Sequence, residues 1–383
     1  MNSKKWIKCW LTIPIILTTV YAGTMLYLDP LQIFHKAPFS NNLFYRDQVR
    51  HNAGIINSYD FDSIILGTSM LENTSGKEAS ALLDSTFVNL SISGSILSDR
   101  AYTLEYVLNK KEIKNVIISL DGFDKVGEYR DNDTVNSYNF LYNNSPYDDI
   151  KVYTNPKYLL IAGCQIVKTY IEPCSNIFKN IENLNEWFSN EEHSKRFGGL
   201  DNWIKSSSND QIKEAFKDII KQSKCIKDGN CVVGKALPYT YTKESFDSYI
   251  FKYAQLKPNT KFHLVFPPYS RLRYAMWKQA NTGEFELYES AIKYIVTKSH
   301  LMKNISVYGF DHLSFVDDIS NYKDTIHYHP SIDSMMLSSI KNKRHILTSE
   351  TVDLYIKKIK TQAQVYNIEN IADKIKLTID SNE

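Results

Sequence analysis

A serine, an aspartate and a histidine in this sequence have the side-chain types that nucleophilic catalysis on a serine needs. Ser69 ends the apolar run of DSIILGTSML, and Asp324 and His327 stand three residues apart in NYKDTIHYHP. A nearby carboxylate can hold an imidazole in one tautomer and stabilise its protonated form, as a base serving a serine nucleophile requires. Taken singly, Ser69 also fits the role of a helix cap, and the pair of Asp324 and His327 also fits a surface turn. Together they predict acyl chemistry on a serine.

Five short apolar runs predict the strands that would position these residues: 63–67, 87–92, 115–120, 261–266 and 304–308. Segments suited to helices separate the first three, at residues 75–83 and 99–109. Continuous apolar strands alternating with helices predict a doubly wound α/β fold with a mostly parallel five-stranded sheet. Sites in such folds form outside the carboxyl ends of the strands, where Ser69, Gly94, Asp121 and Pro267 stand.

The soluble part is interrupted by a long segment without strand periodicity, interpreted as an inserted helical subdomain or lid. It has predicted helices at 156–171 and 211–222, and further helices are predicted at 331–341 and 349–360. The predicted organisation is a cytoplasmic N-terminus 1–9, a transmembrane anchor 10–28, a juxtamembrane segment 29–60, a first core half 61–121, an insertion 122–249, a second core half 250–345 and a helical tail 346–383.

The N-terminus carries a candidate membrane anchor. Lys4, Lys5 and Lys8 precede an uncharged stretch at residues 10–28, and Asp29 follows it. Nineteen residues at about 1.5 Å each match the roughly 30 Å hydrocarbon core of a bilayer. The basic flank predicts a cytoplasmic N-terminus and an extracytoplasmic remainder, either periplasmic or at the cell surface. A cleaved signal peptide ending near residues 20–22 is the alternative, but the apolar run is long for a signal core.

The cysteines agree with an oxidising compartment. Cys9 lies at the membrane edge, and the other four form the disulfide candidates Cys225 with Cys231 and Cys164 with Cys174. Four cysteines allow three connectivities, so the pairing remains open. Zinc is the competing interpretation, but no C-x-x-C or matching histidine spacing is present. We therefore expect extracytoplasmic disulfides.

Composition excludes few functions. The chain has 383 residues and a net charge of +2, which offers no argument for nucleic-acid binding. Its 26 tyrosines suit a sugar-binding surface, although a biased genome explains them equally well. The sequence has no Gly-rich phosphate loop and no convincing internal repeat. We expect no cofactor and no metal.

The motifs, in order, resemble the SGNH or GDSL-like hydrolase superfamily. The matching segments are ILGTSM with Ser69, NLSISGS with Gly94, and a D-x-x-H motif at 324–327. The context LDPLQIF, VIISLDGFD, HLVFPPY and NYKDTIHYHP is most similar to membrane-anchored envelope members related to alginate O-acetylation proteins and to the D-alanyl transfer protein of teichoic acid synthesis. The resemblance covers most of the chain apart from the insertion.

The resemblance implies a role for each matching residue. Ser69 would be the nucleophile, His327 the general base and acid, and Asp324 its orienting carboxylate. The backbone N–H groups of Ser69 and Gly94 would be oxyanion donors. Asp121 stands where the family usually has an Asn, and an ionised carboxylate cannot donate a hydrogen bond, so it would instead hold a loop or position substrate. Separately, Tyr269 is a candidate for lining the pocket.

Two functions from different classes follow as hypotheses. The first is a membrane-anchored serine O-acyltransferase or esterase that moves acetyl groups on an envelope polysaccharide. The resemblance implies a multi-pass membrane acyltransferase as its partner. The second is a non-catalytic glycan-binding or assembly component that retains the fold, motivated by the missing Asn and the abundant tyrosines. A lipase-like esterase ranks lower because the sequence has no large apolar lid.

Overall fold

The structure is a computed structural model of the full chain. It describes residues 3–38, 42–122, 138–143, 145–167, 174, 177–231 and 239–380. The early part of the predicted insertion, 123–137, and the end of its first predicted helix, 168–171, lie outside these residues.

The described part contains fifteen α-helices and seven strands. The helices are α1 Ser3–Leu28, α2 Gln48–Ser58, α3 Gly76–Leu83, α4 Leu97–Lys110, α5 Lys157–Val167, α6 Glu191–Ser194, α7 Leu200–Lys205, α8 Asp210–Asp228, α9 Tyr239–Phe246, α10 Lys252–Leu256, α11 Arg271–Gln279, α12 Thr282–Ser299, α13 Pro330–Lys341, α14 Val352–Val365 and α15 Ile368–Asp380. The strands are β1 Leu43–Tyr45, β2 Ser63–Leu66, β3 Phe87–Asn89, β4 Asn115–Ser119, β5 Phe178–Asn180, β6 Lys261–Phe266 and β7 Ile305–Gly309.

Five of these strands form the predicted parallel sheet, in the order β3-β2-β4-β6-β7. Strands β2 and β4 are buried along their whole length, which explains why their sequences are continuous apolar runs. The strand order reverses between β2 and β4. Because right-handed crossovers on either side of such a reversal put helices on opposite faces, a crevice opens there at the carboxyl ends. The α/β class and the parallel sheet are thus confirmed.

The chain divides into two compact units, each described separately below. The N-terminal unit comprises Met1–Asp60, Tyr106–Lys111 and Asp131–Leu184, and the sheet unit comprises Phe61–Glu105, Glu112–Arg130 and Asn185–Glu383.

This division differs from the predicted insertion at 122–249, which does not form one subdomain. Trp203, Ile212 and Phe216 pack into the same core as the sheet residue Ile65. Residues of α5, by contrast, pack in the N-terminal unit. The predicted C-terminal tail also contributes to the sheet unit, because Ile368, Ile371, Ala372 and Ile375 of α15 lie in its core. Local periodicity indicates helices but not which distant core each one joins.

The N-terminal unit is built around the end of α1. Met25, Leu28 and Leu31 pack against Tyr153 and Tyr158. The Asp29 carboxylate accepts hydrogen bonds from the backbone N–H groups of Ile33, Phe34 and His35, which closes the turn after α1. A two-stranded antiparallel sheet of β1 and β5, which the sequence did not predict, belongs to this unit.

Helix α1 is long and apolar enough to cross a membrane. The stretch Trp10–Leu28 has a mean hydropathy of 1.6, and only 11% of it is buried within the chain. Its exposed side chains include Trp10, Leu11, Ile15 and Leu17. A free aqueous helix with this much exposed apolar surface would be unfavourable, so it suits a lipid environment.

Each unit contains one disulfide. Cys164 is bonded to Cys174 in the N-terminal unit, and Cys225 is bonded to Cys231 in the sheet unit. These are the pairs that the sequence analysis favoured. Because the bonds belong to different units, they do not staple a common insertion.

Candidate active site

Ser69 lies in a turn between β2 and α3. Strand β2 ends at Leu66, and the chain turns through residues 69–73 before α3 begins at Gly76. The cap of α3 is Ser75, whose side chain accepts from the N–H of Glu78 at 3.1 Å. Ser69 is therefore not the helix cap, which was one of its two sequence interpretations.

Hydrogen bonds join the serine turn to the loop after β3. The Gly67 N–H donates to Ser91 Oγ at 3.0 Å, and the Ile92 N–H donates to the Gly67 carbonyl at 2.8 Å. This loop contains Gly94, which is exposed and has φ +64°, a left-handed conformation that favours glycine. A Cβ at Gly94 would meet nothing within 4 Å, so the backbone angle rather than space requires the glycine.

Asp121, at the end of β4, holds the serine turn from the other side. Its carboxylate accepts a hydrogen bond from Thr68 Oγ1 and lies 3.6 Å from the buried guanidinium of Arg100. Arg100 also donates to Ser119 Oγ at 3.0 Å. The carboxylate is an acceptor here and does not serve as an oxyanion donor. It fixes the residue before Ser69 at the crevice between β2 and β4.

The spacing of the D-x-x-H motif has a physical reason. Asp324 Oδ1 accepts from the backbone N–H groups of Ile326 and His327, both at 2.9 Å, in an Asx-type turn. That turn folds the His327 ring back towards Asp324, so that His327 Nδ1 lies 2.8 Å from Asp324 Oδ2. Around it, Lys323 N–H donates to the His327 carbonyl at 3.0 Å and closes the loop.

The three predicted catalytic side chains meet in one line of hydrogen bonds. His327 Nε2 lies 2.9 Å from Ser69 Oγ, although the residues are 258 positions apart. Because Nδ1 faces a carboxylate, it carries the proton, and Nε2 is left as the acceptor for the Ser69 hydroxyl. The geometry thus brings a hydroxyl, an imidazole and a carboxylate into the line of hydrogen bonds that a Ser-His-Asp triad requires.

The surroundings keep Asp324 ionised. Burial by itself would raise the pKa of Asp324, but the charge and hydrogen bond of His327 and the charge of Lys323 together lower it well below its usual value. The carboxylate therefore stays negative at neutral pH and can stabilise an imidazolium at His327.

Trp187 holds the backbone of Ser69, a contact that the sequence did not reveal. Its Nε1–H donates to the Ser69 carbonyl at 3.0 Å, and its ring meets the His327 ring edge-on at a centroid distance of 5.9 Å. Asn73 Oδ1 accepts from the N–H groups of Trp187 and Phe188, which fixes this segment to the serine turn. Trp187 thus contacts both Ser69 and His327.

A buried lysine lies behind Trp187. Lys323 Nζ is 3.9 Å from the centre of the Trp187 ring and 3.1 Å from His193 Nδ1. Burial, partly opposed by the negative charge of Asp324, lowers the pKa of Lys323 to about 8. Burial and the charge of Lys323 lower the pKa of His193 to about 4, so His193 is neutral and can accept at Nδ1. A cation over an indole face is favourable.

Helix α13 is tied to the same turn. Tyr328 donates to the Met70 carbonyl at 2.6 Å, and Thr74 Oγ1 donates to Asp333 Oδ1 at 2.6 Å. His329 caps α13, accepting the N–H of Ser331 at 3.2 Å, which is a structural role. The chain that follows the D-x-x-H motif therefore begins the helix that holds the serine turn.

The remaining predicted residues have other contacts. Tyr269 follows β6 and packs against Tyr274 and Trp277, with ring centroids 6.1 and 5.7 Å away. The Tyr269 ring therefore belongs to an aromatic cluster. Gly94 lies in the loop after β3, as described above. Of the residues that the sequence analysis missed, Lys323 and Tyr328 flank the D-x-x-H motif and could have been found there. Trp187 stands in a segment with no recognisable pattern.

Among the described residues, no group of three or more His, Cys, Asp and Glu side chains is arranged to hold a metal ion. No family model and no curated protein sequence matches this chain.

Proposed function

We propose that this chain is an extracytoplasmic serine O-acyltransferase or esterase of the SGNH type, acting on an envelope polysaccharide. The observation that carries the proposal is the 2.9 Å contact of Ser69 Oγ with His327 Nε2, with Asp324 on the other ring nitrogen. The order Ser, Asp, His along the chain, the reversal of strand order beside Ser69 and the motif resemblance support it.

The chemistry proceeds in two halves. Ser69 Oγ attacks the acyl carbonyl carbon while its proton moves to His327 Nε2, and the imidazolium then protonates the leaving alcohol oxygen. The acyl group remains esterified to Ser69. A sugar hydroxyl or water then loses its proton to His327 Nε2 and attacks that ester, and the imidazolium returns the proton to Ser69 Oγ as the bond between Oγ and the acyl carbon breaks. We favour a sugar acceptor, and hence transfer of acetyl groups, because the anchored relatives implied by the resemblance work beside a membrane acyl donor.

Location outside the cytoplasm is supported by two independent features. Helix α1 has the length and hydropathy of a single membrane span, with lysines before it. The two disulfides are typical of an oxidising compartment.

The test is an ester assay on the full-length chain in detergent, with 4-nitrophenyl acetate as the donor. We expect turnover that falls at least roughly 10³-fold in Ser69→Ala and in His327→Ala. Ser75→Ala, which removes only the cap of α3, is the matched control and should retain activity. Equal turnover in Ser69→Ala would remove the nucleophile assignment.

A non-catalytic glycan-binding role is the second candidate, favoured by the engagement of Asp121 with Thr68 in place of an oxyanion donor. The double variant Ser69→Ala/His327→Ala separates the two. Loss of glycan acylation in cells carrying this folded variant supports catalysis. Full complementation by it would support the binding role.

A further inference from the structure

A cavity lies in the sheet unit, on the edge opposite to the proposed active site. It has a volume of about 370 Å³ and is lined by the first residues of three neighbouring strands, among them Asn115, His263 and Ser306. Ser69 follows the carboxyl end of β2, whereas these residues stand at the amino ends of β4, β6 and β7. The cavity is therefore separate from the groups that would carry out the acyl chemistry.

The floor of this cavity is polar where a sheet face is expected to be apolar. His263 pairs directly with Ser306, and Asn115 stands two residues before Ile117, the β4 partner of His263. Because alternate residues share a face, the three polar side chains lie on one face of the sheet. Further along that face, Ile117 and Val265 belong to the core. The polarity is thus confined to the end of the sheet where the cavity opens.

The rim of the cavity is strongly basic. Four exposed lysines line it, namely Lys261, Lys303, Lys341 and Lys343. None of the described residues that line the cavity is acidic. Lysines clustered around a concave, low-dielectric wall concentrate positive potential and attract anions.

His263 provides an observation, independent of the lysines, that points to a binding site. Both of its ring nitrogens are buried, and neither has a hydrogen-bond partner among the described residues. Burial, with a smaller effect of Lys261, lowers the pKa of His263 to about 4, so the ring is neutral and still has one N–H to donate. A buried polar group without a partner is costly and rare in native proteins. The His263 side chain lines the cavity, so a rotation of its ring would present this N–H to an anion bound there.

We propose that this cavity binds a phosphate group, either as the free ion or as a phosphate monoester. A phosphate carries more charge than a carboxylate and offers several strong acceptor oxygens, which suits four lysines and an imidazole N–H. The cavity falls at the small end of the range for ligand sites, leaving space beside the ion for the group that bears it. This binding is independent of the proposed catalytic function.

The first test measures binding to the full-length chain in detergent by calorimetry and by the shift in melting temperature. The probes are inorganic phosphate and glycerol 3-phosphate, with chloride at equal ionic strength as the reference. We expect both phosphates, but not chloride, to bind saturably and to raise the melting temperature. Tighter binding of glycerol 3-phosphate assigns the site to an ester, and tighter binding of phosphate assigns it to the free ion. A phosphate effect equal to that of chloride would overturn the proposal.

Variants locate the site. Lys303→Ala/Lys343→Ala should raise the dissociation constant about tenfold or more, since charged hydrogen bonds contribute at that level. Lys217→Ala/Lys221→Ala, which removes two exposed lysines from α8, is the matched control and should bind as the wild type does.

His263→Phe separates binding from folding. The substitution keeps the ring and removes both unpartnered nitrogens, so the melting temperature without ligand should be unchanged or higher. Phosphate affinity should fall several-fold, while hydrolysis of 4-nitrophenyl acetate stays the same. Unchanged phosphate affinity in both this variant and the lysine double variant would show that the cavity is not the phosphate site.

Discussion

At the scale of single residues, the site depends on hydrogen bonds that fix where two side chains point. The Asx-type turn at Asp324 orients His327, and the contacts of Thr68 and Trp187 fix the backbone on either side of the Ser69 side chain. Preorganised groups of this kind lower a reaction barrier because they need not be ordered during the reaction. The catalytic power expected of Ser69 therefore rests on neighbours that do not themselves react.

Trp187→Phe tests this dependence. The substitution keeps an aromatic ring beside His327 but removes the Nε1–H bond to the Ser69 carbonyl. A hydrogen bond contributes about 1 kcal/mol, so we predict a fall in kcat of about fivefold on 4-nitrophenyl acetate, with KM unchanged. Trp277→Phe, in the aromatic cluster around Tyr269, is the control and should leave kcat at the wild-type level. A change confined to KM would argue for a substrate contact instead.

At the scale of elements, one helix couples the base to the nucleophile turn. Helix α13 begins three residues after His327, and its Asp333 accepts from Thr74, which lies just beyond the serine turn. Burial raises the pKa of Asp333 to about 8, and its second oxygen, Oδ2, is buried with no partner among the described residues. A carboxyl in this environment stays protonated at neutral pH, because ionising it inside the folded chain would bury a charge.

This protonation predicts a pH-dependent stability. Above about pH 4 the unfolded chain has released the Asp333 proton while the folded chain keeps it. Its contribution to stability therefore falls as the pH rises toward the folded pKa of about 8. The slope is at most about 1.4 kcal/mol per pH unit.

The measurement compares the melting temperature of wild type and Asp333→Asn between pH 5 and 9. We expect the advantage of the wild type over the variant to shrink as the pH rises, because the amide cannot ionise. The control is Asp373→Asn, on the exposed face of α15. Its melting temperature should change with pH in the same way as that of the wild type. A constant difference between wild type and Asp333→Asn would show that Asp333 does not titrate in this range.

Helices and strands were predictable from the sequence where neighbouring residues alone determine them. Strand β6 has the predicted bounds, and β2 and β4 end within a residue of them, because buried parallel strands are continuous apolar runs. The Ser69, Asp324 and His327 set was also predictable, since its spacing, its place at the predicted sheet edge and the family resemblance together suggested it. Trp187 and the packing of α8 and α15 into the sheet unit were not, because they depend on contacts between distant segments.

At the scale of the whole molecule, an apolar helix and the candidate site belong to different compact units. Helix α1 is part of the N-terminal unit, where Met25 and Leu28 lie in the core and Tyr21 donates to the Tyr153 carbonyl at 2.6 Å. Its earlier residues, including Trp10 and Leu17, are exposed. One helix thus has an end that suits lipid and an end that the unit needs in order to fold.

Two truncations separate these roles. Removing residues 1–18 should release the chain from membranes under alkaline carbonate and leave a single folded species in size-exclusion chromatography. Removing residues 1–28 also takes away Met25 and Leu28, and should yield an aggregated or protease-sensitive chain, because deleting buried large side chains costs roughly 2–5 kcal/mol each. If the chain that lacks residues 1–18 stayed in the membrane fraction, the anchor assignment would be contradicted.

The most direct test of the account is covalent labelling of the full-length chain with a fluorophosphonate, followed by mass spectrometry of the modified peptide. We predict one label per chain, on Ser69, with no label in Ser69→Ala and labelling of His327→Ala slowed by about a hundredfold or more. Labelling of another serine, or an equal rate in His327→Ala, would contradict the claim that His327 activates Ser69.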